Sequence, residues 1–233
     1  MRRNLDDRRF VDGVVMTVLC FTAFHAMTVN AQNHKTTRLS DPSVIHLPAP
    51  AYKGKTSLEE TLKNRQSVRN FSVGSLTTKE LSQLLWAAQG KTRDWGARTA
   101  PSAGAMFPLE LYVVMKEGVF RYASGEHRLL RLVASDVRSQ LASAALGQKS
   151  VQKAPAVFVI AAVYERTSEK YGTRAERYVK MEAGHAGQNL LLQAAALGLA
   201  AVPIGAFHDE KVRQTLNLPA HHQPLYLMPV GRK

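Results

Sequence analysis

Eight consecutive apolar residues, AVFVIAAV from Ala156 to Val163, constrain this chain more than any other stretch. A run of strand length with no polar residue on either face reads as a central strand covered on both sides. The elements around it are legible by their spacing. Leu81, Leu84, Leu85 and Ala88 fall at i, i+3, i+4 and i+7, one face of a helix. Thr77 with Glu80 before it, and Ser57 with Glu60 upstream, have capping-box spacing, and Gly90 stands where the helix should stop. LELYVVM, a Gly118 turn and VFRYA predict a β-hairpin, and Ser135 to Gly147 a helix. Arg174 to Leu197 is the longest helical stretch. LAAVP, a small helix from Asp209 and the strand PLYLMPV complete the chain. Strands and helices mix without a regular βαβ rhythm, so the fold class is α+β.

The first 31 residues stand outside that pattern. Four arginines precede an apolar run, VVMTVLCFTAFHAMT, and a V-x-A site ends before Gln32. That is the layout of a secretory signal peptide, at about 15 apolar residues against the roughly 20 a membrane span needs. It predicts export, to a periplasm, with no stable membrane insertion after cleavage; an uncleaved anchor and a cytoplasmic location are the alternatives. Cys20 lies inside this segment, so cleavage would leave no cysteine for disulfides, thiol catalysis or metal binding. Residues 32–56 are polar and proline-punctuated and read as an extended arm that needs a surface to order it. Residues 57–233 form the folded domain.

The formal net charge of +13 points to anionic partners. No helix-turn-helix, RNA-recognition aromatic pair or zinc finger accompanies it, so the expectation is a solvated basic surface and no nucleic acid. There is no P-loop, G-x-G-x-x-G, H-E-x-x-H or G-x-S-x-G. Glu182 and His185 have the spacing of a carboxylate-bundle metal half-site, but no second half-site exists, and His185 reads as a structural histidine. No metal is expected. His221 and His222 read as solvated loop residues. Three segments carry more. In RQSVRNF, Arg65, Ser67 and Arg69 alternate, which puts two guanidiniums and a hydroxyl on one face of an extended segment, a receptor for a phosphate. PIGAF, from Pro203 to Phe207, follows a strand and offers backbone N–H groups. RTAPSAGAMFP, from Arg98 to Pro108, is a loop with little bulk, open to close approach by a flat ligand.

These segments, in this order, resemble the flavin-dependent nitroreductase family. Within it they look closest to the SagB-type branch, whose better-known members oxidise azolines to azoles in peptides. The resemblance runs from about Leu58 to Lys233. It implies a nitroreductase-like fold, with a central, mostly antiparallel sheet flanked by helices, in an intertwined homodimer with FMN at two interface sites. Arg65, Gln66, Ser67 and Arg69 match same-subunit cofactor positions, Arg65 toward the phosphate and Arg69 toward the pyrimidine side. Gln66 departs from the family, which often has Arg or His there. Pro101, Ser102, Ala103 and Ala105 match the loop that serves the partner subunit's flavin. Gly205 and Ala206 match the loop whose N–H points at flavin N5. Many relatives continue past the last strand to reach the phosphate; here Arg232 and Lys233 are the candidates for that role. A fixed cation near N1 and O2 favours the anionic reduced ring. Lys170 and Tyr171 match a Lys-Tyr motif tied to proton abstraction in azoline oxidation, a surface pair being the plainer reading.

The implied function is FMN-dependent oxidoreduction of a small organic substrate in two half-reactions, with NAD(P)H the candidate donor. The alternatives are a SagB-type azoline dehydrogenase, with Lys170 and Tyr171 catalytic, and an exported flavin- or polyanion-binding protein without turnover.

Overall fold

The computed structural model describes residues 43–233, so the candidate signal peptide lies outside the described residues. The first seven residues of the apolar octad form β5 (Ala156–Ala162), and every residue of the strand is buried. It pairs antiparallel with β2 (Leu109–Met115) on one side and β7 (Gln223–Arg232) on the other. Beyond β2 come β3 (Gly118–Ala123), β4 (Arg128–Val133) and β1 (Val44–His46); beyond β7 comes β6 (Leu199–Ala201). The order is β1-β4-β3-β2-β5-β7-β6, with every strand pair antiparallel.

Alternation along these strands separates two apolar layers. Leu111, Val113, Phe158, Ile160 and Met228 face α2 (Thr78–Gln89) and α6 (Ala175–Ala196) in one buried cluster. Tyr112, Val114, Val157, Val159 and Leu227 face α3 (Arg138–Ala144), α4 (Lys149–Lys153) and α7 (Asp209–Thr215) in the other. Fully buried side chains such as Phe158 and Ile160 each contribute about 1.5–3 kcal/mol from water exclusion. An antiparallel sheet with both faces covered explains why β5 lacks the half-polar pattern of a one-sided sheet.

The predicted helix face is the buried one: Leu81, Leu84, Leu85 and Ala88 all lie in the core. The Thr77–Glu80 capping box is complete, whereas at α1 (Leu58–Asn64) only the serine half forms, Ser57 accepting from the Glu60 N–H. Gly90 ends α2 in an extended conformation, φ −68°, not the left-handed one expected of a terminating glycine. Its small size matters for another reason: a Cβ there would sit 2.1 Å from the Trp86 ring.

The described part of the arm is held by the chain itself. β1 pairs with β4, Ser82 donates to the Pro48 carbonyl, and the Gln83 amide exchanges hydrogen bonds with the Ala51 backbone. β4 escaped the sequence reading because RLLRLV places arginines among its apolar residues. His222 is a correction. It is buried, not solvated, with its ring within hydrogen-bond distance of the Tyr112 hydroxyl. Burial pushes its pKa down, and although Glu110 favours the cation, His221, Arg166 and Arg121 oppose it. Among the described residues no helix is long and apolar enough to cross a membrane.

Candidate functional site

The first half of the site is built on the sheet edge at β6. Leaving α1, the chain turns extended at Arg65 and runs parallel to β6: Ser67 lies opposite Ala201, and the Val68 N–H donates to the Ala201 carbonyl. Past Ala201 the chain makes one more bridge, Ile204 with Leu227, before Gly205 and Ala206 emerge exposed. Four residues at about 3.3 Å each put Gly205 within roughly 13 Å of Ala201 along the chain, so the arginine segment and the glycine loop share one edge. The space beside Gly205 is open, with no atom within 4 Å of where a Cβ would stand. The Ala206 carbonyl is taken by the Gln148 amide.

Arg65, Gln66 and Lys233 line one small cavity, floored by Leu191, Ala195, Leu199 and Ala201. Ser67 and Arg69 are exposed on the same segment. Among the described residues the guanidiniums of Arg65 and Arg69 have neither a hydrogen-bond nor an ion-pair partner. Arg232 differs. Its guanidinium grips both carboxylate oxygens of Glu80 and the Ser75 carbonyl. Burial works against ionisation of Glu80, but hydrogen bonds from Arg232 and Thr77, with the Arg232 charge, outweigh it and hold the carboxyl below its usual range.

The second half is the 98–108 loop. Ala103–Ala105 make a 3-10 turn, and Gly104, Ala105 and Phe107 all have positive φ (60°, 56° and 45°). Two non-glycine residues in the left-handed region cost about 1 kcal/mol or more each, so other contacts must hold the loop. Ser102 Oγ accepts from the Phe107 N–H at 2.9 Å, Arg166 donates to the Phe107 carbonyl at 3.0 Å, and the Arg98 guanidinium lies 5.2 Å from the Phe107 ring centroid. Lys170 and Tyr171 end α5 (Glu165–Tyr171), a helix that the sequence reading passed over. They close on this loop: a Cβ on Gly104 would meet the Tyr171 hydroxyl at 2.7 Å and Lys170 Nζ at 3.1 Å. Pro101, Gly104 and Ala105 remain exposed, with Ser102 and Ala103 half-buried.

Glu182 is the residue whose importance the sequence reading missed. Of the pair with half-site spacing, the acid is buried, 3% exposed, and His185, read as structural, is exposed. Among the described residues no group of three metal-ligating side chains occurs. Burial among apolar atoms pushes the Glu182 carboxyl up to about 7, against the opposing influence of the Ser102 hydroxyl, the Arg98 charge and the Gln89 amide. Its Oε1 and both polar atoms of the Gln89 side chain are buried without a hydrogen-bond partner. The available signal was an acid at an i+3 position inside an otherwise apolar helix face.

α6 connects the two halves. Glu182 sits under the loop and Ala195 beside Arg65, thirteen residues apart, or roughly 20 Å at 1.5 Å per residue. One chain thus carries an anion-receptive edge at one end of the helix and a small-residue loop toward the other.

An antiparallel α+β sheet between helices is the fold of solved nitroreductases. A structure from Ralstonia eutropha JMP134 that bears the nitroreductase name superposes with a TM-score of 0.74 at 34% identity, covering 82% of this chain and 89% of that one. The Nitroreductase family profile matches residues 62–232, and the chain belongs to the nitroreductase family of oxidoreductases. A Methanocaldococcus jannaschii protein also carrying the nitroreductase name is 47% identical over 182 residues, 76% of this chain and 91% of its own length. The trifolitoxin operon protein TfxC of Rhizobium leguminosarum bv. trifolii is 27% identical over 193 residues, and the chain spans about half of it, 54%.

Proposed function

We propose that the protein is an FMN-dependent oxidoreductase that works as a homodimer. Each flavin lies between the Arg65–Arg69 and Gly205 edge of one subunit and the 101–105 loop of the other. The observation that carries this reading is the pair of unpaired guanidiniums beside an open glycine loop on one sheet edge. The residues fit the group: Arg65, Ser67 and Lys233 offer donors to a phosphate, and Arg69 offers a cation to an electron-rich ring. The roughly 20 Å between edge and loop along α6 favours two chains completing each site.

Bound there, FMN would supply two-electron chemistry, receiving a hydride at N5 from a donor of the NAD(P)H kind and passing electrons to a small organic acceptor. The chain's own work is positioning and charge. Arg65 and Ser67 fix the anionic tail, and Arg69 stabilises negative charge as it develops on the ring. The N–H groups at Gly205 and Ala206 orient the reacting edge, while the flat loop excludes water without holding the ring away. Purified protein mixed with FMN should turn yellow and migrate as a dimer. A colourless protein that takes up no FMN would sink this reading, and bound FMN that no donor reduces would mark a carrier without turnover.

A second reading is favoured by the contact of Lys170 and Tyr171 with Gly104. That contact brings an amine and a phenol to the flavin loop, as a base for azoline dehydrogenation requires. Lys170→Ala should then abolish azoline oxidation and spare nitroaromatic reduction; equal loss of both would remove the assignment.

A further inference from the structure

Building on the FMN reading above, we propose that Glu182 is a positioning residue for the flavin loop: its carboxylate accepts a hydrogen bond from the Ser102 hydroxyl and so holds residues 102–107 in their flavin-binding form. The inference starts from the loop's hydrogen bonds. Ser102 Oγ already accepts from the Phe107 N–H, which leaves the hydroxyl's own hydrogen to donate elsewhere. The buried Glu182 carboxyl, in the middle of a 22-residue helix and with Oε1 unpartnered, is the acceptor on the Ser102 side of the loop, so a bond to it would extend the chain from Phe107 through Ser102 into the helix. The loop needs such a brace, because Ala105 and Phe107 are held in the left-handed region.

The surroundings of Glu182 are sparse in charge. From the loop, Arg98 and Ser102 face it, and from α2, Gln89. Arg98 is itself influenced by Glu110, Tyr122 and Arg166. The strands beneath α6 contribute Leu109, Leu111, Phe158, Ile160 and Met228, none titratable, and at α5 the nearest ring contact is Tyr171 against Tyr178. One proton on Glu182 therefore decides whether Ser102 meets a carboxylate or a neutral acid. A charged acceptor binds a hydroxyl more tightly than a neutral one. The loop is then better ordered when Glu182 is ionised, and the carboxyl's position near 7 places that change in the physiological range.

The test is FMN affinity of the full-length apoprotein, read by quenching of flavin fluorescence at pH 6 and pH 8. Wild type and Glu182→Gln share the ionisation of the FMN phosphate, so the difference between them is the readout. Wild type should bind about fivefold more tightly than Glu182→Gln at pH 8 and equally at pH 6, since the amide imitates the neutral acid. Ser102→Ala, which deletes the donor and leaves the buried acid in place, should lose the same pH-dependent gain, so the test survives a poorly folding Glu182 variant. Parallel pH profiles for wild type and both variants would overturn the Glu182 assignment and leave the FMN reading intact. No FMN binding at either pH would overturn both.

Discussion

Arg232 and Arg69 lie on segments joined by one bridge, in which Arg232 pairs with Ser72, three residues beyond Arg69. They have opposite fates. Arg232 is spent on Glu80 and Ser75, where it ties the last strand to the N-terminus of α2. Arg69, with Arg65, is left without a protein partner among the described residues. The same contrast holds for the acids. Glu80 is ionised and fully bonded, whereas Glu182 is buried with an oxygen unsatisfied. Charge serves the scaffold where it is paired and marks a candidate site where the fold leaves it unpaired.

The contrast is sharpest in a double variant. Arg65→Ala with Arg69→Ala should weaken FMN binding by about a hundredfold or more, two charge-assisted contacts being lost, while the thermal midpoint stays near wild type. A lowered midpoint with unchanged FMN affinity would place these arginines with the scaffold instead.

Glu182→Gln tests the buried acid through stability. At low pH the carboxyl is protonated in both folded and unfolded chains. Between its ordinary value near 4.5 and about 7 the unfolded chain releases a proton that the folded chain keeps, so stability falls as pH rises through that window. Above it the cost reaches up to about 3 kcal/mol. The glutamine variant should therefore denature at higher urea than wild type at pH 8 and match it at pH 4. Equal midpoints at pH 8 would show that water or a shifted side chain already solvates the acid. Together with the predicted fall in FMN affinity, a more stable Glu182→Gln would identify strain kept for binding.

Gly104→Ala should cost about 1 kcal/mol from its positive φ and the crowding against Tyr171 and Lys170, both flexible ends that can withdraw. It should reduce azoline oxidation more than nitroaromatic reduction if Lys170 and Tyr171 are the base. Arg232→Ala should have the smallest effect on FMN, lowering the thermal midpoint instead. The depressed Glu80 carboxyl makes that contribution present above the usual carboxylate range and lost as pH falls through its folded value, so the variant and wild type should converge in acid.

Much of the fold was legible because it rests on local periodicity. β5, the α2 face, the hairpin and the Thr77 cap are patterns of a few residues, and the core confirms each. β4 was not, since its arginines break the alternation, and neither was α5, a helix of seven residues. Of the candidate site, RQSVRNF and PIGAF could be picked out by residue type, while their neighbourhood was implied only by the family resemblance and by no local pattern. It arises because Ser67, 134 residues upstream of Ala201, pairs with it at β6. Glu182 and His222 show the same limit, as an acid in a helix and a histidine in a pair look like solvent-facing residues until their burial is known.

By itself, then, the amino-acid order determined the strands and helices that short-range spacing can encode, and the residue types able to meet an anionic, planar partner. Which arginine is neutralised and which stays available, which acid has its pKa raised by burial, and which loop meets the Lys170–Tyr171 pair were decided only by tertiary packing. The physical reason is that pairing and desolvation depend on distances between residues remote in the chain, which no local pattern specifies.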